Sequence, residues 1–190
     1  MFNAPILMSP TSQILLRAFE PEDLDIVIRW VNNETVTSNL SDFLLYPVSR
    51  ADEMKWLERV SMANPNEKTF AIETYSGRLI GSIGLRSINW VERKAELGIM
   101  IGETDCWGQG YGTAAVLETL RIAFEKMNLN RIYLRVYQDN SRAIRVYEKC
   151  GFREEGILRE DHYSSGAYHN TVVMGILKRE YFEICSSSNP

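Results

Sequence analysis

Apolar positions recur along this chain with two different periods, and the switches between them lay out an order of elements. Residues 14–19, Ile-Leu-Leu-Arg-Ala-Phe, predict a first strand. Glu20-Pro21-Glu22-Asp23 follows, where a proline and acidic side chains suit the first turn of a helix reaching about Val31. A second helix is predicted from Ser49, whose spacing to Asp52 and Glu53 resembles a capping box, with Met54, Leu57 and Val60 on its packed side and Trp56 beside them. The stretch between these helices reads as loop. Residues 68–75 and 78–88 predict a hairpin turning at Ser76-Gly77, and 95–101 a further strand. Over 112–127 the apolar residues Val116, Leu120, Ala123 and Met127 return at helical spacing; Ile132, Leu134 and Val136 then alternate with Arg131, Tyr133, Arg135 and Tyr137 in a strand. A further helix begins at Asn140. Two closing strands, about 153–163 and 168–177, meet across Ser164-Ser165-Gly166, and a short helix is expected over 178–184. The small polar residues from Cys185 onward are expected to fray.

Composition narrows the class without naming a chemistry. A chain of 190 residues with 45% hydrophobic content suits one large globular domain with a single core. The net charge of -4 and a pI near 5.3 leave no broad basic footprint for nucleic acid, and tolerate a cationic substrate better than an anionic one. No apolar run approaches the roughly eighteen residues of a membrane span. The start, Met1-Phe2-Asn3-Ala4-Pro5, lacks the basic and long apolar regions of a secretory leader, so no membrane and a cytoplasmic location are expected. Cys106, Cys150 and Cys185 are odd in number and far apart; with only His162 and His169 beside them, neither a disulfide framework nor a metal site is expected.

The candidate chemistry lies in Trp107-Gly108-Gln109-Gly110-Tyr111-Gly112-Thr113, three alternate glycines between a strand-like run and an amphipathic helix. Glycine admits positive φ and close approach of the backbone, and the free N–H groups opening the next helix point at whatever anion is held there. A P-loop would need Lys-Ser or Lys-Thr after the last glycine, where this chain has Thr113-Ala114. A dinucleotide fingerprint would need a glycine at 113 and an acid about twenty positions on, where it reads Asn130-Arg131-Ile132. An ordinary glycine-rich turn remains open on the loop alone. Downstream, Asn140 or Ser141 can cap a helix that Gly151 can end in the left-handed conformation. Within it Ala143, Tyr147 and Cys150 share one inward face, and a buried tyrosine hydroxyl needs a partner, whether a carbonyl or a substrate atom.

The Gly110-Tyr111-Gly112 loop, the helix it opens, and the run from Asn140 through Tyr147 to Gly151-Phe152 together resemble the GNAT superfamily of N-acetyltransferases, over nearly the whole chain. The resemblance implies an α+β fold with a central mixed sheet and helices on both faces, one domain over 1–190 with a disordered tail from about 186, and acetyl-CoA as cosubstrate with no metal. It places Trp107, Gly108, Gln109, Gly110, Tyr111, Gly112, Thr113, Asn140 and Ala143 at the cofactor. It also has the backbone of Ile99, Met100 and Ile101 hold the pantetheine arm where two strands splay apart. Tyr147 would give a proton to the leaving thiolate, and an N–H near Met100 would face the oxyanion. Glu96, fourteen positions before Gly110, would take the amine's proton through water from a buried place beside an apolar strand; a structural or solvent-facing carboxylate is the alternative. Trp107 departs from the Gln or Arg common in the family. Direct attack in a ternary complex is implied, Cys150 serving packing rather than nucleophilic attack.

Residues 88–96, Glu155-Gly156-Ile157-Leu158 and Gly166-Ala167-Tyr168-His169-Asn170 resemble the branch holding spermidine and ribosomal-protein N-terminal acetyltransferases. The acceptor is therefore a polyamine or other small amine, or a peptide N-terminus. A non-catalytic acyl-CoA-binding module is the reading from another class. Asp42, Glu92, Glu160 and Asp161 are candidates to line an acceptor cleft, and Trp30, Phe43, Tyr46 and Trp56 are candidates for its wall or for core. An exposed edge strand near the terminal hairpin would allow a homodimer.

Overall fold

A computed structural model of the chain describes residues 14–40, 46–164 and 166–187. Seven strands make one sheet in the order β1-β2-β3-β4-β5-β7-β6. They are β1 (Ile14–Arg17), β2 (Lys68–Thr74), β3 (Leu79–Asn89), β4 (Lys94–Ile101), β5 (Arg131–Tyr137), β6 (Arg153–Ser164) and β7 (Ala167–Leu177). All neighbours are antiparallel except β4 and β5. The β2–β3 hairpin turns at Gly77, whose φ of +81° is the left-handed conformation that favours glycine.

Helices cover both faces, as expected. On the front, α1 (Leu24–Val31) and α3 (Arg50–Ser61) bury Leu24, Val27, Trp30 and Leu57 against Ala71 and Leu79 of the sheet. On the back lie α4 (Tyr111–Arg121), α5 (Ser141–Lys149) and α6 (Lys178–Ser187). Val116, Leu120, Phe124 and Tyr181 close there over Ile83, Leu97, Ile132, Leu134, Met174 and Ile176. The alternation read from the sequence is thus the alternation between the back core and the front face: Leu134 and Val136 face back, Arg135 and Tyr137 front.

Local departures have local causes. A 3₁₀ turn, Pro21–Asp23, precedes α1, and Asp23 holds it by accepting from the Glu20 N–H at 2.9 Å and from Arg17 Nη1 at 2.8 Å. The stretch read as loop contains a short helix, α2 (Glu34–Thr37), capped by the Asn33 side chain accepting from the Thr35 N–H at 3.1 Å. After α4 the chain widens into a π-helical turn, Ile122–Lys126, in which the Met127 N–H reaches back to the Ile122 carbonyl. Helix α6 runs past the expected 184 to Ser187 and includes Cys185 and Ser186.

The register of α3 differs from the one expected. Ser49 caps it, accepting from the Asp52 N–H at 3.1 Å, but Met54 is 43% exposed while Glu53 is 4% exposed. The helix turns a carboxylate inward where a methionine was expected.

Candidate active site

Strands β4 and β5 pair only at Lys94↔Arg131, Ala95↔Ile132 and Glu96↔Tyr133. Beyond Glu96, β4 continues to Ile101 beside β3, and β5 continues to Tyr137 beside β7. The two strands part there, leaving inner edges that face each other without a ladder. This is the splay implied for the strands ending near Ile101 and Tyr137.

The glycine loop stands at the end of β4. Gly108 and Gly110 have φ of +75° and +88°, and no side chain caps α4, so the N–H groups of Tyr111, Gly112 and Thr113 open the helix uncapped. Gly112 is not left-handed, and a Cβ built on it would meet only Ile101 Cγ1 at 4.0 Å. The protein's own packing therefore does not require a glycine at 112. Beside the loop the Trp107 indole N–H donates to the Ile101 carbonyl at 2.8 Å, and the Arg142 guanidinium lies 3.7 Å over the indole ring. Among the described residues Arg142 has no carboxylate partner, and partial burial holds it below the usual arginine range. Sequence reading missed it; its place directly after the capping pair Asn140-Ser141 was the available signal. Asn140 is the cap, its Oδ1 accepting from the Ala143 N–H at 3.1 Å. Gly151 ends α5 at φ +90°.

Ala143, Tyr147 and Cys150 share the inward face of α5. Tyr147 is 7% exposed, and its hydroxyl makes no side-chain hydrogen bond among the described residues. No carbonyl takes it. Burial pushes this phenol up to about 12, so it keeps its proton over the whole working range. The Cys150 thiol is likewise pushed up to about 12 by burial and lies 3.8 Å from the Thr113 carbonyl, a protonated packing group.

Glu96 turns to the front face and is 6% exposed. The expected apolar surroundings are not what it has: Arg86 Nη2 donates to its Oε1 at 2.9 Å, and Arg135 Nε stands 3.8 Å away. Neither arginine was read from the sequence as a partner of Glu96; Arg86 is its cross-strand partner.

One cavity of about 1280 Å³ joins these parts. The glycine loop, Arg142 and Tyr147 line one end; Glu96, Met100, Trp56 and Glu53 line the front, and Asp161, His162 and Thr171 the far side. Glu53 was read only as part of a capping box. Its carboxyl has no hydrogen bond or ion pair among the described residues, and burial raises it above the usual range. Of the acids named for an acceptor cleft, Asp161 lines the cavity; Glu92 pairs with Lys94 in the β3–β4 turn and Glu160 lies outside the lining. Trp30 is core, Trp56 lines the cavity, and Tyr46 is exposed. Asp42 and Phe43 lie outside the described residues. Among the described residues no cluster of His, Cys, Asp and Glu could hold a metal ion.

Comparison with known proteins agrees with this geometry. The model of the acetyltransferase (GNAT) domain matches residues 13–153. Spermidine N(1)-acetyltransferase of Vibrio cholerae serotype O1 is 34% identical over 170 residues, 90% of this chain and 96% of that protein. The Escherichia coli (strain K12) protein of the same name is 31% identical over 92% of this chain and 91% of its own length. A putative ribosomal N-acetyltransferase of Bacillus subtilis (strain 168) is 38% identical over 56% of this chain and 58% of its own. Among solved structures, the Vibrio cholerae spermidine N-acetyltransferase in complex with CoA and spermine superposes with a TM-score of 0.80 at 33% identity, covering 90% of this chain and 98% of that one.

Proposed function

The chain belongs to the GNAT family of acetyltransferases, and from that premise we propose that it transfers an acetyl group from acetyl-CoA to a primary amine of a small polyamine-class acceptor, by direct attack in a ternary complex. The observation that carries the reading is Tyr147: a buried residue whose protonated hydroxyl has no partner among the described residues, on the wall of the cavity that opens where β4 and β5 part.

Bound acetyl-CoA supplies a thioester already activated toward amines. The N–H groups of Tyr111, Gly112 and Thr113, with left-handed Gly108 and Gly110, suit a pyrophosphate, and unpaired Arg142 adds charge beside them. The Ile101 carbonyl is taken by Trp107, which leaves Ile99, alternating with it along β4, to pair with the pantetheine amides. A backbone N–H near Met100 would stabilise the oxyanion, as the family resemblance implies. Tyr147 donates its proton as the thiolate departs. Glu96, held by Arg86, accepts the amine's proton through water. Glu53 supplies a buried carboxylate that an ammonium would satisfy, which favours an acceptor with a second positive charge.

Acetylation of a peptide N-terminus is the second reading, favoured by the 38% identity to the relative named as a putative ribosomal N-acetyltransferase. A homodimer has its support in β6, an outer strand with Ile157 and Leu158 exposed. No described helix is long and apolar enough to cross a membrane; the cytoplasmic location is proposed from the dependence on acetyl-CoA.

The test is release of CoA thiol from acetyl-CoA with spermidine, spermine, simple diamines and short peptides with free N-termini. Amine-dependent release with the polyamines supports the proposal, and release with peptides alone selects the second reading. Acetyl-CoA binding with no release for any acceptor would leave the binding-module reading in its place.

A further inference from the structure

Glu96 sits where β4 and β5 part, the last residue of β4 that pairs with β5. Two arginines reach it from the two neighbouring strands. Arg86, its cross-strand partner on β3, donates from Nη2 to Oε1 at 2.9 Å. Arg135 lies on β5 two residues past Tyr133, the β5 partner of Glu96, and so faces front just beyond the parting. Its Nε stands 3.8 Å from the same Oε1. Oε2 has no hydrogen bond among the described residues, and it is not one of the buried side-chain atoms closed off without a partner, so it is open to the cavity that Glu96 lines. The carboxylate is clamped by one oxygen and presents the other.

The charges here do not cancel. Neither guanidinium meets another carboxylate among the described residues, and both side chains, 58% and 55% exposed, line the cavity. Two cations and one anion leave one positive charge at the place where the acceptor nitrogen has to lose a proton. A carboxylate alone would attract an ammonium and keep its proton on; with two guanidiniums beside it the sign is reversed, and the charged form of a nearby amine is disfavoured. Ion pairs formed by side chains this exposed add little to the stability of a sheet. The fold therefore gives no reason for the second arginine.

We propose that Arg86 and Arg135 keep the reacting amine neutral: Arg86 fixes Glu96 so that Oε2 holds the water that carries the proton away, and the surplus charge of Arg135 disfavours the ammonium. The inference rests on the amine reading above and gives the two arginines their part in it. The equilibrium concerned runs between bound ammonium and bound neutral amine with the proton released to water. Glu96 relays that proton and ends as the carboxylate it began as, so charge balances without a further reactant. The other ammonium groups of a polyamine are left to acids on other elements of the cavity, Glu53 of α3 and Asp161 of β6.

The experiment uses Arg135, since loss of Arg86 would strip a buried carboxylate of its hydrogen bond and disturb the sheet. Arg135→Gln and Arg135→Lys are compared with the parent on spermidine and on a diamine fluorinated beside both nitrogens, whose weakly basic amines are largely neutral at the assay pH. In Arg135→Gln, kcat for spermidine is expected to fall about tenfold, one like charge nearby changing the neutral fraction of an amine by about that factor. KM for spermidine should hold or fall, because the ammonium is repelled less, and KM for acetyl-CoA should stay within about twofold. Arg135→Lys keeps the charge and should restore most of kcat. The fluorinated diamine should lose less than about twofold in either variant, and melting temperature should move by no more than about 2 °C.

Equal losses of kcat for the two acceptors would overturn the proposal and make Arg135 a residue that acts by shape. So would a lysine variant no better than the glutamine one, or a rise in KM for spermidine with kcat unchanged. Turnover of spermidine by parent and Arg135→Gln alike removes the inference and leaves the amine reading intact. A parent that acetylates no small amine removes that reading and the inference with it.

Discussion

Tyr147 and Glu53 are both buried residues whose acid groups burial weakens, and they are put to different uses. For Tyr147 the neutral form is the useful one, a proton donor without a competing acceptor among the described residues. Tyr147→Phe is expected to lower kcat on the order of a hundredfold, the usual contribution of a positioned acid, with the calorimetric Kd for acetyl-CoA unchanged. An unaltered kcat would take Tyr147 out of the proton transfer. Glu53 raises the opposite question, because burial works against the charged form that an ammonium would pair with. Its folded-state carboxyl lies above the unfolded value, so its contribution to stability is fully present at low pH and is lost as pH rises through the folded value. Glu53→Gln should therefore raise Tm at pH 7, by about 2–4 °C for each kcal/mol recovered, and leave it unchanged near pH 3, as calorimetric melts at the two pH values would show. The same variant should raise KM for spermidine. A gain in stability beside a loss of acceptor affinity marks a carboxylate kept for binding; a fall in Tm at pH 7 would mark it as structural.

At the scale of elements, the parts legible in the sequence are those whose signal is a residue type with one physical use. Gly151 was readable as a left-handed helix end and Asn140 as a cap because few residues do either job. The glycine loop was readable for the same reason, yet its three glycines are not equivalent. Gly110 is left-handed at φ +88°, so Gly110→Ala should cost roughly 1–2 kcal/mol, a fall in Tm of about 2–8 °C. Gly112 has an ordinary φ inside the first turn of α4 and room for a Cβ. Gly112→Ala should keep or slightly raise Tm, alanine being the better helix former, while raising KM for acetyl-CoA about tenfold by crowding the uncapped N–H groups. Should both variants lose stability alike, the glycine at 112 would serve the fold and not a ligand. Less legible was the rotation of α3, since Ser49 and Asp52 form the cap whichever side of the helix faces the sheet, and counting apolar positions favours Met54 over Glu53. The bulge of β6 between Leu158 and His162 left no mark of its own: Glu160, left-handed there at φ +51°, is not a glycine, and the side chain that fixes it, Asn170, lies on the neighbouring strand. The short helix α2 is four residues long, below what periodicity can register.

Across the whole molecule, the front helices belong to one side of the sheet. Trp30 of α1 packs so tightly on Gly102 that a Cβ there would lie 2.1 Å from the ring, and its indole N–H donates to Glu103 Oε1 at 2.8 Å. These contacts tie α1 to the end of β4. Strands β5, β7 and β6 form the other side, and the two sides share three paired positions and the core on the back. The inner edges beyond Glu96 are therefore where the fold has least to hold it together and where a ligand can add most. Saturation with CoA at a hundred times its Kd is worth about 2.7 kcal/mol by mass action, a rise in Tm of roughly 5–11 °C. Hydrogen exchange should show where that stabilisation resides. If the pantetheine arm closes the gap, protection rises at residues 97–101 and 134–137 on both sides of the parting, as well as at the glycine loop. Protection at the loop alone would mean that the phosphates bind while the sheet stays open, and would move the acetyl group, Tyr147 and the acceptor wall out of a common site.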